Sequence, residues 1–465
     1  MVRTRIAPSP TGHDIHIGNL YTALINWTYA RKHNGQFIIR VEDTDRERLV
    51  EGAEARILST FKAFGLDYDE GPDLGGLYAP YRQSDRLKIY HKHAKELVEK
   101  GHAYYCFCKK ERLDEIRKKQ ISEKKIPRYD RYCLNNIKIP QELIDKGEKY
   151  VIRLKVPENR TIIFNDVIRG EIKFESNNID DQILIKSDGY PTYHMAVVID
   201  DYLMSITHVI RAEEWIPSTP KHILLYEAFG WPFPIYAHLP ILRNPDKSKL
   251  SKRKNPVFAS WYLEQGFLPK AMLNFLALMG WSHPEQKEIF DLNEFKEKFE
   301  LEDMQPVGPA FDIVKLEWMN GEYIRRTPND ELRTLIYEFY LKEYPEDLIT
   351  KTVPLIKERI KKLSDYLPLC EFFFKEPEVD LSGVGTGRDL SLPQKIHDEL
   401  EKIEDWKADV IGEKMQELAK RENVKAGDFF MTLRVAITGK KISPPLNESM
   451  EILGKEKCLE RLSKI

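Results

Sequence analysis

Residues 3–41 set two strand patterns on either side of one helix pattern. Arg3-Thr4-Arg5-Ile6 alternates polar and apolar side chains and reads as a short strand, which Pro8 and Pro10 stop. From Leu20 the apolar side chains Leu20, Ala23, Leu24 and Trp27 fall at the spacing of one helical face. Gln36 to Val41 (QFIIRV) is a strongly apolar second strand, ending in Glu42-Asp43-Thr44-Asp45-Arg46. Strand, helix and strand in immediate succession make a βαβ unit, for which parallel pairing and a right-handed crossover are expected. A tight loop therefore joins the first strand to the helix, with His16 and Gly18 at the helix N-terminus. Such an end offers unpaired backbone N–H groups and a positive dipole to an anion, usually a phosphate. A purely structural turn satisfies the same spacing. Glu42 stands at the C-terminal end of a parallel strand, where α/β sheets bind ligands. It suits a substrate ammonium, or else an acidic turn capping the next helix.

The chain of 465 residues is long enough for about two to four domains with sizeable cores. Its 72 basic and 74 acidic side chains nearly cancel to a net charge of −2, so a nucleic-acid partner needs local basic patches. Five cysteines (Cys106, Cys108, Cys133, Cys370 and Cys458) are too few and too odd for a secreted disulfide framework. No signal peptide and no membrane span are expected, since no apolar run approaches ~18 residues. A soluble cytoplasmic protein is the expectation.

Helix patterning resumes from Glu51 to Phe64 and stops at Gly65. Ser84 reads as the cap of a further helix with Leu87, Tyr90, Ala94 and Leu97 on one face and Gly101 at its end. The character then changes. Cys106 and Cys108 follow a Tyr-Tyr pair, and Cys133 follows a Lys-rich helix over 109–125 and Tyr129. Short β-rich runs fill Tyr150 to Phe174, so residues 83–187 read as an insertion into the α/β domain. Cys-x-Cys with a distant third cysteine has zinc-ligand chemistry, but three thiolates leave a tetrahedral set incomplete, and unligated thiols fit equally well.

The α/β pattern returns at Asp188-Gly189-Tyr190-Pro191-Thr192-Tyr193 and the apolar run Met195 to Ile199, followed by a strand at Ile206 to Ile210. Ser218-Thr219-Pro220 opens a helix through Phe229, and His238 to Leu242 is a further strand. The loop Arg243 to Lys254 carries six basic residues. It reads either as a solvated charge run or as an electrostatic clamp beside a phosphate site. Beyond Asn255 the strands largely stop, with helices at Trp261 to Trp281 and Leu292 to Phe299 and a Lys/Glu-rich helical region after Arg326. The glycine run Ser382-Gly383-Val384-Gly385-Thr386-Gly387 has no strand before it and no helix opening directly after it, so it reads as an interhelical linker.

Six segments in this order resemble the bacterial-type glutamyl-tRNA synthetase family of class I aminoacyl-tRNA synthetases. They are Arg5-Ile6-Ala7-Pro8-Ser9-Pro10-Thr11-Gly12 with His16-Ile17-Gly18-Asn19 (the HIGH signature), Arg40 to Asp45, Ser187 to His194, Arg211 to Trp215, Leu242 to Lys247, and Lys249-Leu250-Ser251-Lys252-Arg253 at the place of the KMSKS loop. The resemblance covers nearly the whole chain. It implies an α/β fold: a Rossmann-type parallel-sheet catalytic domain (1–82 and 188–245), an inserted α+β acceptor-binding domain (83–187), a stem-contact domain with the KLSKR loop (246–325) and an all-α anticodon-binding domain (326–465). It implies ATP-dependent ligation of L-glutamate to tRNA(Glu) through glutamyl-adenylate, with Mg²⁺ accompanying ATP, adenylate formation requiring bound tRNA, and a monomer. The alternative it leaves is a non-discriminating enzyme that also charges tRNA(Gln).

The resemblance also implies roles. His16, Lys249 and Lys252 are the catalytic residues, Lys252 neutralising the leaving pyrophosphate. Thr11, His16, Gly18, Asn19, Glu214, Trp215, Ile241, Leu242 and Lys252 bind ATP. Arg5, Ala7, Ser9, Glu42, Tyr193 and Arg211 bind glutamate, the guanidinium groups matching its carboxylates and Glu42 its ammonium. Arg359 matches an anticodon-reading position, though a surface salt bridge suits it as well. Asn19 replaces the last histidine of HIGH, as in many members, and Val197 stands where some carry asparagine. Asn135 stands two residues after Cys133, where some relatives have a fourth zinc ligand; a Tyr-x-x-x-Cys pair in a close paralogue points instead to zinc on Cys106, Cys108, Tyr129 and Cys133. A small-molecule nucleotidyltransferase shares the His-x-Gly and Ser-Lys-Arg pairing but needs neither the insertion nor the helical tail.

Overall fold

The expected βαβ unit is present in the computed structural model, which describes residues 1–248, 250, 256–308, 310–381, 384 and 391–465. Strand β1 (Arg3–Ile6), helix α1 (Ile17–Lys32) and strand β2 (Gln36–Ile39) follow one another, and β1 pairs with β2 in parallel from Arg3↔Gln36 to Ile6↔Ile39. Alternation in β1 does not mark an exposed face, because all four of its residues are buried. Two of them are arginines, which persist inside only by pairing. Arg3 Nη1 lies 3.1 Å from Glu70 Oε1, and Arg5 donates from Nε and Nη2 to both oxygens of Asp201 at 3.0 and 3.1 Å. Helix α2 (Ala53–Ala63) follows, ending at Gly65 in a positive-φ conformation as expected.

The middle of the chain contains α3 (Leu87–Glu99), β3 (Ala103–Cys106), α4 (Lys110–Ser122), α5 (Tyr132–Asn136), α6 (Pro140–Asp145), β4 (Val151–Leu154), β5 (Thr161–Asp166), β6 (Gly170–Glu175) and β7 (Ile183–Ile185). Ser84 does not cap α3. A short 3₁₀ turn over Gln83–Arg86 comes first, and Ser84 donates its hydroxyl to Asp43 Oδ2 at 2.5 Å. Strands β3, β4 and β7 form a small antiparallel sheet.

Helix α7 (Tyr193–Leu203), β8 (His208–Ala212), α8 (Thr219–Phe229) and β9 (Ile235–Leu239) complete the α/β layer. β8 and β9 are parallel, and Thr207 N–H donates to Arg3 O at 3.0 Å, tying the start of β8 to β1. The apolar run Met195 to Ile199 lies within α7 and is buried on every side, worth about 1.5–3 kcal/mol for each of its Met, Val and Ile side chains. Asp200 and Asp201 follow it, 0% and 3% exposed near a helix C-terminus, where the dipole disfavours carboxylates. Arginines on other elements compensate for that position.

The β5–β6 hairpin differs from its expected place in the insertion. β5 meets β9 in parallel at Asp166↔Tyr236, giving a four-stranded order β6-β5-β9-β8. Ile152, Leu154, Ile162, Met195 to Ile199, Val209 and Ile223 share one core. The chain divides into two compact units, residues 1–261 with 273–312, and residues 262–272 with 313–465. The helix Ile313–Arg326 thus belongs to the second unit, ahead of the expected boundary at 326. That unit is all helical among its described residues, around Ile324, Leu332, Ile349, Val353, Ile396 and Leu433. Of the glycine run read as a linker, all but Val384 lie outside the described residues, as do Lys249 and Ser251 to Asn255.

Candidate active site

The loop between β1 and α1 is fastened from both sides. Glu42 N–H donates to Pro8 O at 3.0 Å, Asp14 accepts from Thr60 and from Ser260 N–H, and Ala259 N–H donates to Ile15 O. At the start of α1 the expected free donors are already used. Ile17 N–H goes to Val257 O at 2.7 Å, Gly18 N–H to His16 Nδ1 at 3.0 Å, and Asn19 and Leu20 N–H to His16 O at 2.8 and 3.1 Å. The reading that α1 offers unpaired N–H groups to an anion is therefore corrected: its end supplies a dipole and side chains instead. Since His16 Nδ1 accepts, the neutral ring carries its proton on Nε2. Gly18 permits this cap, for a Cβ there would stand 3.2 Å from His16 Nδ1.

Two adjoining cavities open here. The smaller, about 90 Å³, is walled by Arg5, Ala7, Glu42, Tyr193, Arg211 and Trp215, among others. The larger, about 260 Å³, is walled by His16, Gly18, Ile241 and Leu242 with Tyr21 and Pro240. Asn19, Thr22, Ala212 and Glu214 line both, so the two are halves of one cleft. Most residues expected to take glutamate and most expected to take ATP thus sort into separate halves, with Asn19 and Glu214 on the shared wall and three further exceptions. Trp215 lines the smaller half, Ser9 is exposed and lines neither, and Thr11 also lines neither. Lys249 and Lys252 fall outside the described residues. Thr22 went unrecognised in the sequence, although it stands four residues after Gly18 on the same face of α1. Ala212 and Pro240 lie at the C-terminal ends of adjacent parallel strands, which is the signal that finds them.

The charges around the smaller half are mostly matched. Asp201 takes Arg5 and also Arg40 Nη1 at 2.7 Å; Asp200 takes Arg86 Nε at 2.7 Å, Gln83 and Tyr90; Glu42 takes Arg40 Nη2 at 3.1 Å. Burial pushes the Glu42 carboxyl up to about 7, against the pull of Arg40 and Arg5. Burial also works against ionised Asp201, yet Arg5 and Arg40 hold its carboxyl below the usual range. Arg211 is different. It is 5% exposed, and its hydrogen bonds go to His238 Nε2 (3.1 Å), Tyr193 Oη (3.2 Å), His222 Nδ1 (3.3 Å) and Thr219 Oγ1 (2.8 Å). None of these partners is a carboxylate, so a buried positive charge on the cavity wall stays unmatched among the described residues.

A second cluster lies where β3 meets α5. The sulfurs of Cys106, Cys108 and Cys133 are within 4.8 Å of one another, with Cys108 and Cys133 at 3.5 Å. Tyr129 Oη stands 3.4 Å from Cys106 Sγ and 3.3 Å from Cys108 Sγ. Zn–S bonds of about 2.3 Å place tetrahedral sulfurs ~3.8 Å apart, so this donor set is close to the required size. The hydrogen bond between the thiols brings Cys106 down and Cys133 up. Asn135 lines a neighbouring groove instead.

In the helical unit Arg359 is exposed, and its Nη1 donates to Ser443 O at 3.2 Å. Arg434 donates to the same carbonyl, and burial together with the Arg359 charge lowers its pKa. The surface salt bridge considered for Arg359 is absent among the described contacts.

The strand–loop–helix cradle with its histidine cap, the adjoining cleft and the separate helical unit agree with the class I aminoacyl-tRNA synthetase models that the chain matches. Residues 1–318 match the family model "tRNA synthetases class I (E and Q), catalytic domain", and residues 330–465 match "Anticodon binding domain". The chain is 45% identical to the glutamate–tRNA ligase of Acidothermus cellulolyticus over 99% of its own length and 94% of that protein. It is 43% identical to that of Fusobacterium nucleatum over 100% and 97%. The crystal structure of a glutamate tRNA ligase from Elizabethkingia meningosepticum in complex with its amino acid superposes with a TM-score of 0.88 at 36% identity, covering 100% of this chain and 98% of that one. The chain belongs to the glutamate–tRNA ligase family, and it joins glutamate to tRNA. No helix among the described residues is long and apolar enough to cross a membrane.

Proposed function

We propose that the smaller half of the cleft holds glutamate and the larger half holds ATP, so that the new acyl–phosphate bond forms at the wall they share. The observation that carries this is Arg211, a buried guanidinium without a carboxylate partner, facing a cavity of about 90 Å³. Glutamate supplies both charges this half lacks. Its side-chain carboxylate meets Arg211, and its ammonium meets Glu42, which burial makes reluctant to ionise alone. Arg5 is a weaker reader than expected, because two of its nitrogens are already given to Asp201. In the larger half, His16 faces the phosphates while Ile241 and Leu242 face the adenine and ribose. The glutamate α-carboxylate attacks the α-phosphorus of ATP, the bond to pyrophosphate breaks, and glutamyl-adenylate forms. The terminal ribose 2′-hydroxyl of tRNA then attacks the acyl carbon and displaces AMP. Catalysis by alignment and by donors to developing phosphate charge suffices, with no covalent enzyme intermediate. Lys252 and Lys249 take the pyrophosphate charge.

On this reading the region 83–187 holds the acceptor end of tRNA(Glu), residues 246–325 contact its stem and residues 326–465 read its anticodon, Arg359 among them. Zinc on Cys106, Cys108, Tyr129 and Cys133 would tie together the two ends of the segment that runs from β3 through α4 to α5. The enzyme works as a cytoplasmic monomer. Pyrophosphate exchange into ATP tests the reading: it should require glutamate and tRNA together. Exchange that ignores tRNA, or prefers another amino acid, overturns it. Charging tRNA(Glu) and tRNA(Gln) side by side, with and without Arg359→Gln, measures discrimination.

A further inference from the structure

Arg211 is held in an unusual way for a buried guanidinium. Four of its N–H bonds end on neutral groups, and two of those are imidazoles with further partners behind them. His238, fully buried on β9, accepts from Arg211 Nε at its Nε2, so its proton sits on Nδ1, which donates to Asp166 Oδ2 at 2.6 Å. His222, 2% exposed on α8, accepts from Arg211 Nη1 at its Nδ1. Its Nε2 proton is then directed to His194 Nδ1 at 3.0 Å. Each tautomer is thus set by the group behind it, and each imidazole presents a lone pair to the arginine. Burial, with Arg211 beside it, drives His222 far below its ordinary value, and burial brings His238 down to about 4, so both are neutral at physiological pH. The Asp166 charge is kept a full imidazole ring away from the guanidinium.

Carboxylates are plentiful in this core, where Asp200, Asp201 and Glu42 hold Arg5, Arg40 and Arg86. The acceptors at Arg211 are neutral instead, and they keep its charge available. We infer that His222 and His238 are specificity-determining positioning residues, which orient Arg211 without neutralising it and so reserve its charge for a carboxylate side chain over an amide. The inference rests on the reading of Arg211 as the group that meets the glutamate side chain.

A matched pair of variants tests it. Asparagine keeps an acceptor near the place of His222 Nδ1, whereas aspartate adds a negative charge there. In tRNA-dependent pyrophosphate exchange, His222→Asn should stay within about fivefold of the parent in KM for glutamate. His222→Asp should raise that KM by about 50-fold or more with kcat nearly unchanged, and should narrow the preference for glutamate over glutamine by about tenfold. Equal behaviour of the two variants overturns the inference. If His222→Asp does not fold, the pair His238→Gln and His238→Glu makes the same comparison at Arg211 Nε. Arg211→Ala serves as the control on the underlying reading. An unchanged glutamate KM in that variant refutes the role of Arg211 itself, a failure separable from that of the imidazoles.

Discussion

Replacing Glu42 by glutamine should stabilise the protein while removing its use of glutamate. An unfolded glutamate titrates near 4.5, whereas burial raises the folded Glu42 carboxyl to about 7. Between these values the folded state holds the proton more tightly, so raising the pH through this window costs the fold. At 1.36 kcal/mol per unit the full cost above pH 7 is about 3 kcal/mol, and at pH 5 it is under about 1 kcal/mol. Glutamine mimics the protonated acid and escapes the cost. Thermal unfolding of the parent and of Glu42→Gln at pH 8 and pH 5 reads the difference. A gain of about 5 °C at pH 8, shrinking at pH 5, is expected for a unit of this size. The same variant should raise the glutamate KM by about 100-fold, since the ammonium loses its charged partner. Equal shifts at both pH values, or a loss of stability at pH 8, would refute the electrostatic account.

His16 caps α1 and lines the ATP half, and two variants separate these tasks. His16→Asn should keep the cap and the melting temperature yet slow adenylate formation by about 100-fold, whereas His16→Ala should also lose about 1 kcal/mol of stability; matching activities for parent and asparagine variant would contradict the role. Elemental analysis should find one zinc per chain, lost in Cys106→Ser, and a metal-free preparation of full activity and stability would count against the site. Ile199→Ala, at 0% exposure in α7, should cost about 2–5 kcal/mol in denaturant unfolding, and a smaller effect would place that side chain outside the core.

Local pattern made much of this fold legible, and distance in sequence hid the rest. The β1–α1–β2 unit and the turn at Gly65 are spelled by periodicity and punctuation, as is a strand read at 206–210 that runs two residues later, over His208–Ala212. The cleft residues were found through motifs, yet their partners were not. Arg5 meets Asp201 196 positions away, and Ile17 donates to Val257 across a similar span. Those two contacts change what the motif does: one occupies an arginine expected to read substrate, the other consumes a backbone donor expected to hold phosphate. The β5–β6 hairpin was misplaced for the same reason. Its alternation is the same against any sheet, and only β9 decides which one it joins. Ser84 shows the complementary error, since a good capping residue found the carboxylate of Asp43 instead.

The substrate half of the cleft is better understood by its charge balance than by its residue inventory. Arg5, Arg40 and Arg86 are matched by Asp200, Asp201 and Glu42, so the core beneath the cavity is neutral in total. Arg211 stands outside that balance, and Glu42 is only half satisfied within it, with one arginine contact and a carboxyl raised to about 7. Both departures face the same cavity. On the proposed reading, glutamate corrects both at once, one end with its carboxylate and the other with its ammonium. Glutamine corrects only the second: its amide oxygen accepts a hydrogen bond from Arg211 but brings no charge, so the buried guanidinium stays unbalanced. The instability that Glu42 imposes and the selectivity that Arg211 confers are therefore two aspects of one arrangement, and a variant that relieves the first should lose binding without losing the second.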